Sequence, residues 1–253
     1  MNIVEVTREN MSEKGFFCYM SKKKSEGYQR KLKWLRDRFD EGMRIKMLDL
    51  RQGGRGFIEY IPGEYAWRAV NADGYMLIHC IWVAGRSKGK GYATQLLNEC
   101  FKDAEKAGMK GVAVVTSEGN WLVGKNLFLR HGFECADQRP PFALMVRKFG
   151  NATSPSFSGN FEQRLRTYKK GLTIFRSDQC PYVDAAVGAA LEAAKELGIG
   201  TKVIELKSAE EVRRLSPSPY GVFGIVYDGK LVSYHSGAKK ELMTCLEKLR
   251  NGQ

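Results

Sequence analysis

The chain has 253 residues, 43% of them apolar and 27% charged, the balance of an ordinary globular protein large enough for two domains. Its longest apolar runs fall well short of the roughly 20 residues needed to cross a bilayer, and the opening Met-Asn-Ile-Val-Glu-Val-Thr lacks the basic and apolar parts of a signal peptide, so a cytoplasmic location with no membrane partner is expected. The net charge of +13 is spread along the chain without aromatic-basic interleaving or a recognition-helix pattern, which argues for a solvated positive surface and against nucleic-acid binding. In chain order, residues 3–7 alternate as an edge strand. A long polar stretch with helical character follows from about Asn10 to Asp40, carrying Phe16, Phe17, Leu32, Trp34, Leu35 and Phe39. Residues 43–50 and 56–60 predict a strand pair around a Gly-rich turn, and residues 65–70 a third strand.

Residues 76–83 (Met-Leu-Ile-His-Cys-Ile-Trp-Val) are short, apolar and followed at once by Arg86-Ser87-Lys88-Gly89-Lys90-Gly91. They predict a buried strand leading into a turn. Beyond it Ala93, Leu96, Leu97, Cys100, Phe101 and Ala104 share one helix face, and Gly108 closes the helix. A strand feeding a helix through such a turn aims backbone N–H groups and the positive helix end at one spot, which suits a phosphate. The loop is not a P-loop, because no hydroxyl residue directly follows Lys90. It is not a dinucleotide fingerprint either, because the third glycine is missing. Downstream the pattern predicts a strand at 112–115, a helix from about Trp121 to Arg130, the pair Gly132-Phe133, and a last strand near 142–149.

The spacing Arg86-x-x-Gly89-x-Gly91-x-Ala93, in this order of elements and with the Gly-Phe pair, resembles the acetyl-CoA loop of the GNAT superfamily of N-acetyltransferases. The resemblance implies an α/β (α+β) fold with a central mixed, splayed sheet, and acetyl-CoA as cosubstrate. It places Ile81, Trp82 and Val83 along the pantetheine arm, and Arg86, Ser87, Lys88, Gly89, Lys90, Gly91, Tyr92 and Ala93 around the diphosphate. It implies an amine acceptor, small molecule or peptide, and a general base on a neighbouring strand, for which Glu59 and His79 are the titratable candidates. Many members carry a tyrosine four residues before the Gly-Phe pair to protonate the leaving thiolate. Here that position is Phe128, which has no proton to give.

A Ser/Pro-rich stretch at 150–159 reads as a connection, giving a first domain at 1–150, a linker at 151–168 and a second domain at 169–253. The second part predicts a strand at 172–175, a helix after Cys180-Pro181-Tyr182-Val183 that ends at Gly198, and a strand at 203–206. A short helix at 209–215, a hairpin through Asp228-Gly229 and a final helix with Leu242, Cys245, Leu246 and Leu249 follow. This β-α-β-α-β-β-α order resembles a thioredoxin-like domain, and an acetyltransferase followed by it is similar to proteins with a YoaP-like C-terminal domain. The resemblance places Cys180 at the first redox cysteine, replaces the resolving cysteine by Val183, and offers Pro219 as the cis-proline facing the thiol. Cys180 is then either a relic or a thiol of the acceptor site. The six cysteines contain no Cys-x-x-Cys pair and suggest reduced thiols, and three separated histidines give no metal-ligand spacing. Two function classes follow: an acetyl-CoA-dependent N-acetyltransferase whose second domain shapes the acceptor site, or a CoA-binding sensor that uses the Cys180 domain to recognise a thiol or a partner. Oligomeric state stays open, with a homodimer as one option.

Overall fold

The structure, a computed structural model, describes residues 2–119, 121–235 and 237–251. It divides into two compact units. The first comprises residues 1–23, 32–66 and 70–157, and the second residues 24–31, 67–69 and 158–253. The second unit thus takes two short pieces from the first half of the sequence.

The first unit begins with β1 (Ile3–Val6), α1 (Met11–Lys14) and α2 (Glu26–Asp40), the last counted with this unit from Leu32 onward. It continues with β2 (Arg44–Leu48), β3 (Gly56–Pro62), β4 (Val70–Asn71), β5 (Met76–Val83), α3 (Tyr92–Lys106), β6 (Gly111–Ser117), α4 (Asn126–Leu129), β7 (Glu134–Arg139), β8 (Phe142–Lys148) and β9 (Ser156–Phe157). Seven strands form one sheet in the order β1-β2-β3-β5-β6-β8-β7, in which β5 and β6 are parallel and every other neighbouring pair is antiparallel. The apolar face of α3 (Leu96, Leu97, Cys100, Phe101) packs on Ile58, Ile78, Ile81 and Val114 of the sheet. On the other face Phe17 stacks on Phe57 at 4.8 Å, and the ring of Trp34 lies 6.3 Å from that of His79. Such burial, at about 25 cal/mol per Å² of apolar surface, holds both faces.

In the second unit α5 (Phe161–Leu165) precedes β10 (Leu172–Arg176), α6 (Val183–Glu196), β11 (Thr201–Glu205), α7 (Ala209–Leu215), β12 (Phe223–Tyr227), β13 (Lys230–Ser233) and α8 (Lys239–Arg250). The sheet order is β11-β10-β12-β13, with β10 and β11 parallel and the other pairs antiparallel. The Asp-Gly turn behaves as its chemistry demands. Asp228 and Gly229 both take positive φ, 48° and 79°, the mirror-image turn that matches strand twist. Ser208 caps α7 by accepting from the Glu211 N–H at 3.1 Å.

Several expectations need correction. The helical stretch at 10–40 is broken between α1 and α2, where Gly15, Phe17 and Tyr19 adopt positive φ. Residues 65–70 form no strand of the main sheet; they pass through an irregular turn, and only Val70 and Asn71 pair, with β9. The helix expected at 121–130 shrinks to the four residues of α4, because Gly124 and a positive φ at Trp121 (84°) delay its start. An additional strand, β7, is present and its residues are mostly exposed. The bond before Pro219 is trans; reversal of that Pro-rich turn falls instead on Gly221, at φ +77°, and the cis X-Pro bond among the described residues joins Pro140 to Pro141.

Candidate active site

β6 pairs with β5 only from Met76 to Ile78, opposite Val112 to Val114. Beyond Ile78 the two parallel strands part, so the β6-facing edge of Ile81, Trp82 and Val83 lies outside that ladder. On its other side β5 stays paired with β3, Ile58 to Ile81 and Phe57 to Trp82. A bulge marks the start of the splay. His79 and Cys80 together oppose the single residue Glu59, while Ile78 faces Tyr60. The extra residue shifts parity, so that Ile78 and Ile81 both point into the α3 core.

Past Val83 the chain makes a single 3₁₀ turn at Gly85–Ser87 and enters α3 through Gly89 and Gly91, at φ +73° and +74°. L side chains rarely adopt such values, which is why glycine stands at both positions. A Cβ built on either would meet nothing within 4 Å, so open space lies over both. Gly91 caps α3 without a side-chain hydrogen bond, and the N–H groups of the first helical turn are available to an anion. A cavity of about 550 Å³ gathers Ile81, Trp82, Val83, Ser87, Lys88, Gly89, Gly91, Tyr92 and Ala93 on one wall. Arg86 and Lys90 are exposed beside it and do not line it. Ser87 is buried, and its Oγ accepts from the Arg55 N–H at 3.1 Å, tying the loop to the turn before β3. Lys88 lies 5.9 Å over the exposed Trp82 ring.

The other wall comes from residues that the sequence pattern did not single out: Thr94, Val123, Leu127, Arg130 and His131. His131 donates from Nδ1 to the Leu127 carbonyl at 2.8 Å, as a carbonyl can only accept. Its Nε2 then accepts from the Thr94 hydroxyl at 2.9 Å. Only the basic character of Arg130 and His131 next to Gly132 was there to hint at them.

Glu59 and His79 come together. Nδ1 of His79 and Oε1 of Glu59 are 3.3 Å apart, and both residues are 2% exposed, on the sheet face away from α3. Phe128 is fully buried, its ring edge-on to Phe133 at 5.3 Å, so its position is a core position and not a cleft position. Cys180 belongs to the second unit, two residues before the cap of α6, and is half-buried. The described residues contain no group of three or more His, Cys, Asp or Glu placed to hold a metal, and no helix long and apolar enough to cross a membrane.

Comparison with known proteins decides the family. A family model described as Acetyltransferase (GNAT) family matches residues 11–133. An uncharacterized N-acetyltransferase, YoaP of Bacillus subtilis (strain 168), is 33% identical over 239 residues, covering 92% of this chain and 94% of the relative. The chain belongs to the GNAT family of N-acetyltransferases. Among solved structures, PaiA N-acetyltransferase from Thermoplasma acidophilum in complex with coenzyme A is similar at 17% identity, 59% coverage of this chain and 100% of that one, with a TM-score of 0.40. An aminoglycoside 6'-acetyltransferase type Ii is similar at 16% identity, with 60% and 99% coverage and a TM-score of 0.46. The YoaP relative spans both units; the two solved structures cover little more than half of the GNAT chain.

Proposed function

We propose that the protein transfers the acetyl group of acetyl-CoA to a primary amine of a small molecule or peptide. The observation that carries this reading is the parting of β5 from β6 at Ile78, with the Gly-rich loop and the α3 N-terminus opening on the same 550 Å³ cavity. The residues present suit the donor. The diphosphate meets the first-turn N–H groups of α3 and the Lys88 ammonium, Gly89 and Gly91 leave it room, and the pantetheine arm adds to the β6-facing edge of Ile81–Val83 as a strand would. Arg86 and Lys90 add charge from the rim.

In the transfer a neutral amine attacks the thioester carbonyl, the C–N bond forms, the C–S bond breaks, and the thiolate leaves with its electron pair. The Glu59–His79 pair beside the bulge is the proposed acceptor of the amine proton, through water, because both side chains are buried. Phe128 takes no part. A CoA thiolate, resembling an ordinary thiol of pKa about 8.5, leaves without a dedicated acid.

The second unit is proposed to be thioredoxin-like and to serve acceptor selection. Its strand order and pairing support the first statement, and the YoaP relative matches along both units in one chain. Cys180 is the proposed thiol of that function. The test is thiol release from acetyl-CoA against amines, aminoglycosides, amino acids and peptides. Turnover with one class, lost in Glu59→Gln while acetyl-CoA still binds, supports the reading. Binding of acetyl-CoA with no turnover on any amine favours a CoA-binding sensor.

A further inference from the structure

We propose that Thr94 and His131 form a proton-linked phosphate contact in the cleft: His131 takes up a proton as the anionic cofactor enters, and Thr94 turns its hydroxyl from the imidazole to a phosphoryl oxygen. This rests on the acetyl-CoA reading above and adds to it a wall of the cleft that the Gly-rich loop does not supply.

The hydrogen-bond geometry fixes the starting state. Nδ1–H of His131 is committed to the Leu127 carbonyl, so Nε2 of the neutral ring is an acceptor, and the single Thr94 proton points at it. What Thr94 then shows to the cavity is oxygen lone pairs. It does so in the first turn of α3, on a cavity whose other polar groups are the donors Lys88, Arg130 and the backbone N–H groups, together with the hydroxyls of Ser87 and Tyr92, which can donate as well as accept. A phosphate brought into that cavity meets, at Thr94, lone pairs whose hydroxyl proton is turned away, which repels it. A second ring proton removes the conflict. Protonated Nε2 donates to the Thr94 oxygen, and the hydroxyl proton is released to face the phosphate. A nearby anion favours the imidazolium, so each event promotes the other.

The other titratable groups around His131 are Lys88, Arg130 and Tyr92, which share the cavity, and Arg147 of β8, which donates to the His131 carbonyl at 3.3 Å. None of them hydrogen-bonds Thr94 among the described contacts, so none can turn its hydroxyl as His131 does.

Calorimetric titration of the full chain with acetyl-CoA, in buffers of different ionisation enthalpy at slightly alkaline pH, reads proton uptake directly. Wild type is expected to take up about one proton more than His131→Gln, and its affinity to fall by up to roughly tenfold per pH unit above neutrality while that of His131→Gln stays nearly level. Thr94→Ser keeps the hydroxyl and retains the uptake; Thr94→Val loses it. Equal uptake in wild type and His131→Gln overturns the proposal, and so does unchanged uptake in Thr94→Val, which would leave the histidine acting without its relay. Absence of any acetyl-CoA binding by the wild type overturns the cofactor reading itself, and the inference with it.

Discussion

Two strand–turn–helix junctions in this molecule follow the same local rules and end in opposite states. At β5–α3 the turn is built from glycines at positive φ, and the space a side chain would take is open over Gly89 and Gly91. At β10–α6 the turn is Cys180-Pro181-Tyr182, and the chain's own α2 closes on it. A Cβ at Gly27 would come within 2.1 Å of the Pro181 carbonyl, and Arg30 bonds Asp178 at 2.7 Å and Glu205 at 2.8 Å. A helix N-terminus is therefore an anion site only where the fold withholds its own backbone and side chains from it. The first junction is open, and the second is filled by the polypeptide.

The largest expected effect comes from forcing the filled junction open. Gly27→Val has no room against a backbone carbonyl and should cost about 3 kcal/mol of stability, read from chemical unfolding. A variant as stable as wild type would show slack at the Pro181 turn and erase the contrast. Next comes the sealed core behind the open cleft. Phe128→Tyr puts a hydroxyl among buried rings and should cost about 2 kcal/mol. Turnover per folded molecule should not rise; a clear gain would mean that the ring reaches the thioester after all.

The open junction is tested by Gly91→Val, which strains a φ of +74° and fills the space over the loop. Acetyl-CoA affinity should drop tenfold or more, about 1.4 kcal/mol. Unchanged titration curves would remove the loop from the binding site. The smallest effect lies at a third turn, between β2 and β3, which is held by a charge. Arg51 donates to Asp49 from its side chain and its N–H, and these bonds keep the Asp49 carboxyl below the usual range. A carboxyl whose folded value is depressed adds stability at pH above its unfolded value, and that contribution fades as pH falls through the folded one. Asp49→Asn should therefore lower stability slightly at neutral pH and shallow the acid side of the profile, the variant and wild type converging at low pH; an identical acid limb would refute the contribution.

The open junction was legible in the sequence because three signals agree there: an apolar run, glycines, and a helix-period face, which end up as β5, the loop and α3. The order of elements in the second unit was legible for the same reason, down to the Asp228-Gly229 turn. What stayed hidden has no local signature. β7 (Glu-Cys-Ala-Asp-Gln-Arg) is an edge strand with little to bury, so no alternation marks it. Residues 65–70 carry a strand's composition, but the backbone leaves the sheet and Trp67–Ala69 are counted with the second unit. The Thr94–His131 bond joins residues 37 apart, and the Glu59–His79 pair depends on a one-residue bulge that no spacing rule reveals.

The composition of the second unit also bears on how the molecule is made. Residues 24–31 leave the ribosome early, yet the groups they bond, such as Asp178 for Arg30, follow 148 residues later. At about 5–20 residues per second, Arg30 waits on the order of 7 to 30 s for its carboxylate. Through that interval the start of α2 is a nascent segment without the carboxylates that hold it in the folded chain. A cut at the Ser/Pro-rich stretch would strand it permanently.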